Sequence, residues 1–305
     1  MNLLEISKFL SLASGITTIG LLLAIAFFLN EIEGKLGDRA RSLRGFTSIA
    51  ALTWTLATSL SIIATLANIL GTDLSGALDP TSMRSFISQI MLGKYMFVQL
   101  CLALLVASVA IRIKGVAGAN ALLVLSLVAI IAPVFESHSA SSGSHALAIG
   151  SLVVHVVAIS LWVGGLVAIT FLKVDDRAIA LPRLSALALW AAIAVSASGT
   201  VNAWARLNFQ SAWSSDYARL VFLKILLTAA LIFLGYLNRR QLKGSLKLNG
   251  KQLGRLLSVE VLIMGITTFV GSKLSTMQPP VRADNSALDP GLVIAGIATP
   301  PPPNF

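Results

Sequence analysis

Long apolar runs recur along nearly the whole chain of 305 residues and constrain its fold more than any other feature. A run of about 20 apolar residues is long enough to cross a bilayer as one α-helix. We predict about eight spans, near residues 9–29, 46–70, 91–111, 117–136, 146–172, 184–206, 218–238 and 254–276. The runs are continuous rather than alternating, which disfavours a transmembrane β-barrel. The sequence therefore predicts an all-α, polytopic bundle of membrane-spanning helices.

Basic residues are concentrated in alternate loops. The loops 30–45, 112–116, 173–183 and 239–255 hold four, two, three and six Lys or Arg residues, 15 in all. The opposite loops and the two termini hold three, Lys8, Arg84 and Arg282. Because cytoplasmic loops carry an excess of Lys and Arg, we expect these four loops inside and both termini outside. The net charge of +10 then reflects topology, with the lipid bilayer as partner and no nucleic acid.

The predicted spans define one membrane domain and a tail. Residues 1–276 form the predicted eight-helix domain, and residues 277–305 a Pro-rich extracytoplasmic tail that ends in Pro-Pro-Pro-Pro-Asn-Phe. The outer loop 71–89 carries Gly71, Gly76 and an Asp79-Pro80 pair, which are turn signals. A short interfacial helix is expected near residues 81–90.

Small and polar residues within two spans indicate close helix packing. Gly164-Gly165 and Ser198-Gly199 allow neighbouring helices to approach closely. Asn202 lies one turn beyond Ser198 on the same face. Its amide needs a partner inside the membrane, so we expect it to bond to a neighbouring helix.

All three histidines fall within 18 residues of one another. His138 and His145 lie in a Ser/Gly-rich outer loop, and His155 lies about 15 Å deeper along the predicted fifth span. An ionisable residue inside a span is a functional candidate, and imidazole is the commonest metal ligand. Two interpretations stay open: a metal site, or a solvated loop with a neutral His155 bonded to a carbonyl or to Asn202 in a packed core.

Sulfur and carboxylate groups on the outer side bear on the choice of metal. Four of the six methionines, Met83, Met91, Met96 and Met277, lie on or near this side. Thioether and imidazole ligands together suit copper. We therefore include Met96, and Glu136 as an oxygen ligand at the mouth, among the candidate metal ligands.

Two charged residues inside spans need partners. Lys224, near the outer side, is predicted to pair with Glu136 or to reach towards Asp216. Glu260, near the cytoplasmic side, is predicted to pair with Arg183 or Arg255. These contacts would be structural, and the alternative is a cation pathway lined by the two carboxylates.

Motifs of nucleotide-dependent and hydrolytic enzymes are missing from the sequence. There is no Walker A sequence, Gly-rich dinucleotide loop or HExxH motif. There is also no evident acid/base pair of carboxyl groups. We therefore expect the protein not to be an enzyme.

The second half of the chain resembles the copper resistance D (CopD) family. The similarity is best over residues 138–280, while the first three spans agree in topology alone. The motifs that carry it are the His155-x6-Trp162-x-Gly164-Gly165 span, Ser198-Gly199-Thr-Val-Asn202, Asp216-Tyr217 through Lys224, Gly235-Tyr-Leu-Asn238-Arg239-Arg240, and Arg255 with Glu260 before Pro279-Pro280.

This resemblance implies a bacterial inner-membrane protein that imports or handles copper, as Cu(I) or Cu(II), often beside a periplasmic copper carrier. In some relatives a CopD-like half is fused to a CtaG-like half that assists cytochrome oxidase assembly. His145 and His155 would be the principal ligands and His138 would capture the metal. Trp162, Asn202 and Lys224 would shape the cavity.

Two other functions remain open from the sequence. A haem-binding electron-transfer protein would need a second axial ligand for His155, such as Met96. A non-metal assembly or scaffold subunit would leave the histidines incidental.

Overall fold

The computed structural model describes residues 3–29, 35–136, 145–207, 213–242 and 250–277, which form a bundle of helices. The α-helices are α1 (Leu3–Leu23), α2 (Asp38–Leu70), α3 (Leu74–Ala77), α4 (Pro80–Gln89), α5 (Met91–Ala110), α6 (Val116–Ile131), α7 (His145–Thr170), α8 (Val174–Arg206), α9 (Asp216–Leu242) and α10 (Gly250–Thr276). A π-helical turn, Ala24–Phe28, continues α1, and a 3-10 turn, Ala132–Glu136, follows α6. Within the described residues the β-type pairing is a single isolated bridge, Lys35 with Gly115. The predicted all-α class is confirmed.

Seven helices in the described part of the chain are long and apolar enough to span a membrane. They are Leu3–Phe28, Asp38–Leu70, Met91–Ala110, Val116–Glu136, Ile149–Thr170, Asp175–Trp204 and Asp216–Arg240. The eighth predicted span corresponds to α10, which is a helix of 27 residues but is not among these seven. The protein is thus a multi-pass helical membrane protein, and the eighth crossing stays a prediction.

Helix α1 is the most enclosed element of the bundle. It packs against α2, α7, α6 and α10, and its buried face supplies much of the main apolar core. The closest approach is to α7, where a Cβ atom added at Gly20 would lie 1.9 Å from the carbonyl oxygen of Gly164. Small residues are therefore required at this crossing, as predicted for Gly164. Helix α9, by contrast, has little buried surface and packs mainly on α10 and α8.

The basic loops meet at one end of the bundle. The Arg39 side chain lies 3.0 Å from the carboxylate of Asp176, and this contact joins the first basic loop to the third. Arg44 donates to the carbonyl oxygen of Ile113 at 2.8 Å, which joins the first loop to the second. Arg239, at the start of the fourth loop, donates to the carbonyl oxygen of Ser185 at 2.6 Å, two residues beyond the third loop. We call this the basic end of the bundle.

The opposite end carries the short helices α3 and α4. Helix α2 stops at Gly71, whose φ of 64° is in the left-handed region that favours glycine. Asp79 caps α4 and Pro80 occupies its first turn, which confirms a short helix near residues 81–90. Its position at the membrane interface stays a prediction. The Pro-rich tail lies outside the described residues apart from Met277, so the division into domain and tail stays a prediction.

Candidate metal site

His155 lies inside the bundle, on the face of α7 that is turned towards α8 and α9. It is ten residues from the start of α7, about 15 Å along the helix axis, and its exposed fraction is 7%. Nothing in the local sequence interrupts the helix here, since His155 stands in an unbroken apolar run. Burial of the ring therefore follows from packing, and each of its nitrogens needs a polar partner.

Both ring nitrogens have such a partner. The Nδ1 atom lies 2.9 Å from Oγ of Ser198 on α8, and the Nε2 atom lies 3.2 Å from Nζ of Lys224 on α9. A lysine ammonium only donates hydrogen bonds, so Nε2 accepts and the ring proton resides on Nδ1. That proton is donated to Ser198, whose hydroxyl in turn donates to the carbonyl oxygen of Ala194. We call His155, Ser198 and Lys224 the histidine site.

Glycines leave the space that this arrangement needs. A Cβ atom at Gly199 would lie 3.5 Å from Cε1 of His155, so the ring packs directly over the backbone of α8. A Cβ atom at Gly271 of α10 would lie 3.3 Å from Nζ of Lys224. Four helices, α7 to α10, therefore surround the histidine site.

Asn202 joins the same pair of helices one turn nearer the outer end. Its Oδ1 accepts a hydrogen bond from Oγ of Ser151 on α7 at 3.2 Å, and its Nδ2 donates to the carbonyl oxygen of Ser198 at 2.9 Å. The prediction that Asn202 bonds to a neighbouring helix is confirmed. The structure also shows that Asn202 is not the partner of the His155 ring, because that position is taken by Ser198.

The structure brings some of the other predicted residues to the site and not others. Trp162 is buried in the main apolar core, about two turns further along α7 than His155. Met96 is buried in a separate cluster with Phe86, Ile62 and Leu66. Glu136 is half-buried at the end of the 3-10 turn after α6.

The remaining predicted ligands fall largely outside the described residues. His138 lies outside them, and His145 is described as the first residue of α7 but not in its side chain. Within the described part, there is no group of three or more His, Cys, Asp or Glu residues placed to hold a metal ion. The predicted ligand set is therefore represented by His155 alone among the histidine side chains that the structure describes.

The two charged span residues have partners that the sequence did not predict. The Nζ atom of Lys224 lies 3.2 Å from Nε2 of His155. Its pairing with Glu136 or its reach towards Asp216 stays a prediction. The carboxylate of Glu260, buried to an exposed fraction of 4%, accepts a hydrogen bond from Nδ2 of Asn238 rather than from Arg183 or Arg255.

Arg183 has a different role at the basic end. Its guanidinium donates to the carbonyl oxygens of Phe27 and Phe28, at 2.8 and 2.9 Å. These carbonyls belong to the π-helical turn that ends α1, where the regular ladder of hydrogen bonds is interrupted. Distant parts of the chain determine this contact, so sequence spacing alone could not reveal it.

The sequence did not reveal two of the polar partners of the buried titratable residues. Ser198 was assigned to helix packing, although its position one turn before Asn202 places it on a polar face of α8. Asn238 was noted as part of a motif, but its amide was not matched to Glu260. Both could have been suspected, since polar side chains within spans require partners.

These features define a class: a multi-pass helical membrane protein with a buried imidazole held between helices by a hydroxyl and an ammonium group. Comparison with known families specifies it further. A model of the family described as Copper resistance protein D matches residues 178–274. A second model, described as Copper resistance protein D-like, N-terminal domain, matches residues 2–147. The chain belongs to the copper resistance protein D family.

The two matches cover only part of the histidine site. Ser198 and Lys224 lie within the first match, and His155 lies between the two matched ranges. The N-terminal match also extends the family resemblance to the first spans, where motifs were not evident from the sequence. The chain matches no curated protein and no solved structure.

Proposed function

We propose that this protein binds copper at the end of the bundle opposite the basic end and passes it inward or to a partner. His138 would capture the ion, and His145 and His155 would be its principal ligands. Glu136 at the mouth could supply an oxygen ligand. The activity is binding and transfer by ligand exchange rather than catalysis.

The orientation of the His155 ring carries this proposal. Metal-binding histidines usually donate their other ring N–H to a neighbouring group, which fixes the tautomer and raises the basicity of the ligating nitrogen. The hydrogen bond from Nδ1 to Ser198 does this and leaves Nε2 as the nitrogen with a lone pair. Together with membership of a copper resistance family, this favours a ligand over a packing residue.

The location and partners that follow are also part of the proposal. The protein would reside in a bacterial inner membrane, with its histidines facing the periplasm. It would receive copper from a periplasmic carrier or deliver it to a CtaG-like or other cytochrome oxidase assembly partner. The haem alternative is not favoured, because Met96 packs in a separate cluster from the residues around His155.

Metal analysis of the purified full-length chain tests the function. We expect about one copper per chain, and a loss of most of it in His155→Ala and in His145→Ala. Ser196→Ala, an exposed substitution on α8, is the matched control and should retain copper.

Abundance and growth complete the test. Cells that express the wild-type chain should differ from cells without it in how their growth depends on copper concentration. Cells that express either histidine variant at equal abundance should not show this difference. Unchanged copper content in both variants would contradict the ligand assignment. A fall in abundance of His155→Ala, with normal copper per folded chain, would instead support a packing role for the ring.

A further inference from the structure

Lys224 occupies the position that a metal ion would take on His155. The ring offers a metal two nitrogens, and Nδ1 is engaged with Ser198. The remaining nitrogen, Nε2, has the Lys224 ammonium 3.2 Å away, on the side where a coordinated ion would lie. In the structure described here, a cation of the protein itself is held at the ligating atom.

Copper and this ammonium cannot share the nitrogen. Nε2 has one lone pair, and a hydrogen bond from the ammonium and a coordinate bond to a metal use the same electrons. The two positive charges would also repel each other strongly in a site surrounded by four helices, where the effective dielectric constant is far below that of water. Binding of copper to Nε2 thus requires Lys224 to leave.

The structure provides a way for the ammonium to move. Lys224 is half-buried, whereas the His155 ring is buried, and its flexible stem allows the charged end to extend towards the nearer membrane surface. Lys224 is eight residues from the start of α9, about 12 Å along the helix. The contact with His155 is therefore one that an incoming ion can displace without unfolding a helix.

We propose that Lys224 is a tethered competitor for copper, which occupies the metal-binding nitrogen of His155 in the metal-free state and is displaced when copper arrives. The competitor keeps the buried imidazole hydrogen-bonded when no metal is present. It also weakens copper binding, so that the ion can be released again. This inference rests on the proposed function, since it assigns a regulator to the same site.

The test measures Cu⁺ affinity of the purified full-length chain against a chromogenic Cu⁺ chelator. Lys224→Gln and Lys224→Leu both remove the charge, and Gln keeps a hydrogen-bond donor for Nε2 in case the Leu variant does not fold. We expect each to bind Cu⁺ at least about tenfold more tightly than the wild type, because a neighbouring positive charge has been removed. A purely structural lysine would give unchanged or weaker binding.

Three further variants separate the effect of the lysine charge from that of packing. Lys224→Arg retains the positive charge and should bind Cu⁺ no more tightly than the wild type. Lys273→Leu removes an exposed lysine in the last turn of α10 and should leave affinity unchanged. In a His155→Gln background, Lys224→Gln should give no gain, because the competing nitrogen is gone.

The possible failures are distinguishable. If the wild type binds Cu⁺ through His155 but neither neutral variant binds more tightly, the competitor role is overturned and the proposed function stands. An equal gain in Cu⁺ affinity in Lys224→Arg would overturn the competitor role as well. If the wild type binds no Cu⁺, the proposed function fails, and the competitor role fails with it.

Discussion

Polar residues inside this bundle are paired one with another rather than with the loop charges nearest to them in sequence. His155 pairs with Ser198 and Lys224, and Ser151 pairs with Asn202. Each of these contacts joins two helices. Inside a membrane the alternative to such a contact is an unsatisfied polar group, so these residues both hold helices together and define where an ion could bind.

Ser198→Ala removes the acceptor for the Nδ1 proton of His155. A buried donor left without a partner costs about 1–3 kcal/mol, so we expect thermal unfolding in detergent to occur at a lower temperature. Copper affinity should fall too, because the ring is no longer fixed with Nε2 as its acceptor. Ser196→Ala, on the exposed side of the same helix, is the control and should change neither quantity. Normal affinity in Ser198→Ala would show that the hydroxyl does not orient the ring.

Glu260 is a second buried polar residue whose partner came from the tertiary structure. We expect Asn238→Ala to lower the free energy of unfolding by about 1–3 kcal/mol, since the carboxyl group of Glu260 loses its donor. Combining it with Glu260→Gln should cost less than the two single changes added together, because both ends of one contact are altered. The exposed Asn68→Ala on α2 is the matched control. Strict additivity would contradict the pairing.

At the scale of elements, the crossing of α1 and α7 shows how small residues determine packing. The backbones of the two helices come so close at Gly20 and Gly164 that any side chain would overlap a carbonyl oxygen. The π-helical turn that ends α1 is fixed by the guanidinium of Arg183 on α8. Helix α1 is thus held along its length by elements distant in sequence.

Gly20→Ala tests this crossing. The added methyl group must displace the backbone of α7, and we expect a loss of about 3 kcal/mol in the free energy of unfolding. Gly150→Ala on α7 is the control, because no atom of the described residues lies within 4 Å of its added Cβ. Alanine is the better helix former, so this variant should be as stable as the wild type or more stable by up to about 1 kcal/mol. Equal effects of the two changes would contradict the close approach.

Helix α4 provides a pH-dependent prediction outside the membrane-spanning helices. The Ser82 backbone N–H donates to Asp79 at 2.8 Å and holds the pKa of this carboxyl below its ordinary value of 3.8. The carboxylate therefore stabilises the helix above the unfolded pKa, and this stabilisation is lost as the pH falls through the lower folded pKa. We expect hydrogen-exchange protection of α4 to decrease with acid below about pH 4, and Asp79→Asn to remove most of that dependence. The same acid sensitivity in Asp79→Asn would exclude this cap as its cause.

At the scale of the whole molecule, the distribution of basic residues along the chain agrees with the arrangement of the helices. The described parts of the first three basic loops contact one another at the basic end, and Arg239 of the fourth contacts Ser185, two residues beyond the third. The histidine site is nearer the opposite end. An even number of crossings would return the chain to the side on which it began. Placement of both termini outside the cytoplasm stays a prediction, because it depends on the crossing by α10 as well as on the charge bias.

Reporter fusions check the topology directly. A fusion at Gly244, in the fourth basic loop, should report a cytoplasmic location, and one at Ala140, in the loop that holds His138, an external one. The contrast between the two sites controls for expression of each reporter. An external signal at Gly244 would overturn the assignment and would place the histidines on the cytoplasmic side.

The sequence by itself determined the class of fold, the positions of seven spans, the clustering of the basic loops and the family. Each depends on composition and spacing along one segment, which hydropathy and charge describe well. It also singled out His155 and Lys224 as buried groups that need partners. It did not predict that they would be partners of each other.

Only the tertiary structure decided the pairings. Three successive helices, α7, α8 and α9, bring His155 together with Ser198 and Lys224. The spacing of these residues along the chain does not reveal which face of each helix turns inward. A polar residue in a span must be satisfied, so the sequence reveals the need for a contact. Which group satisfies it depends on the rotation and crossing of whole helices, and this is determined by packing of the entire bundle.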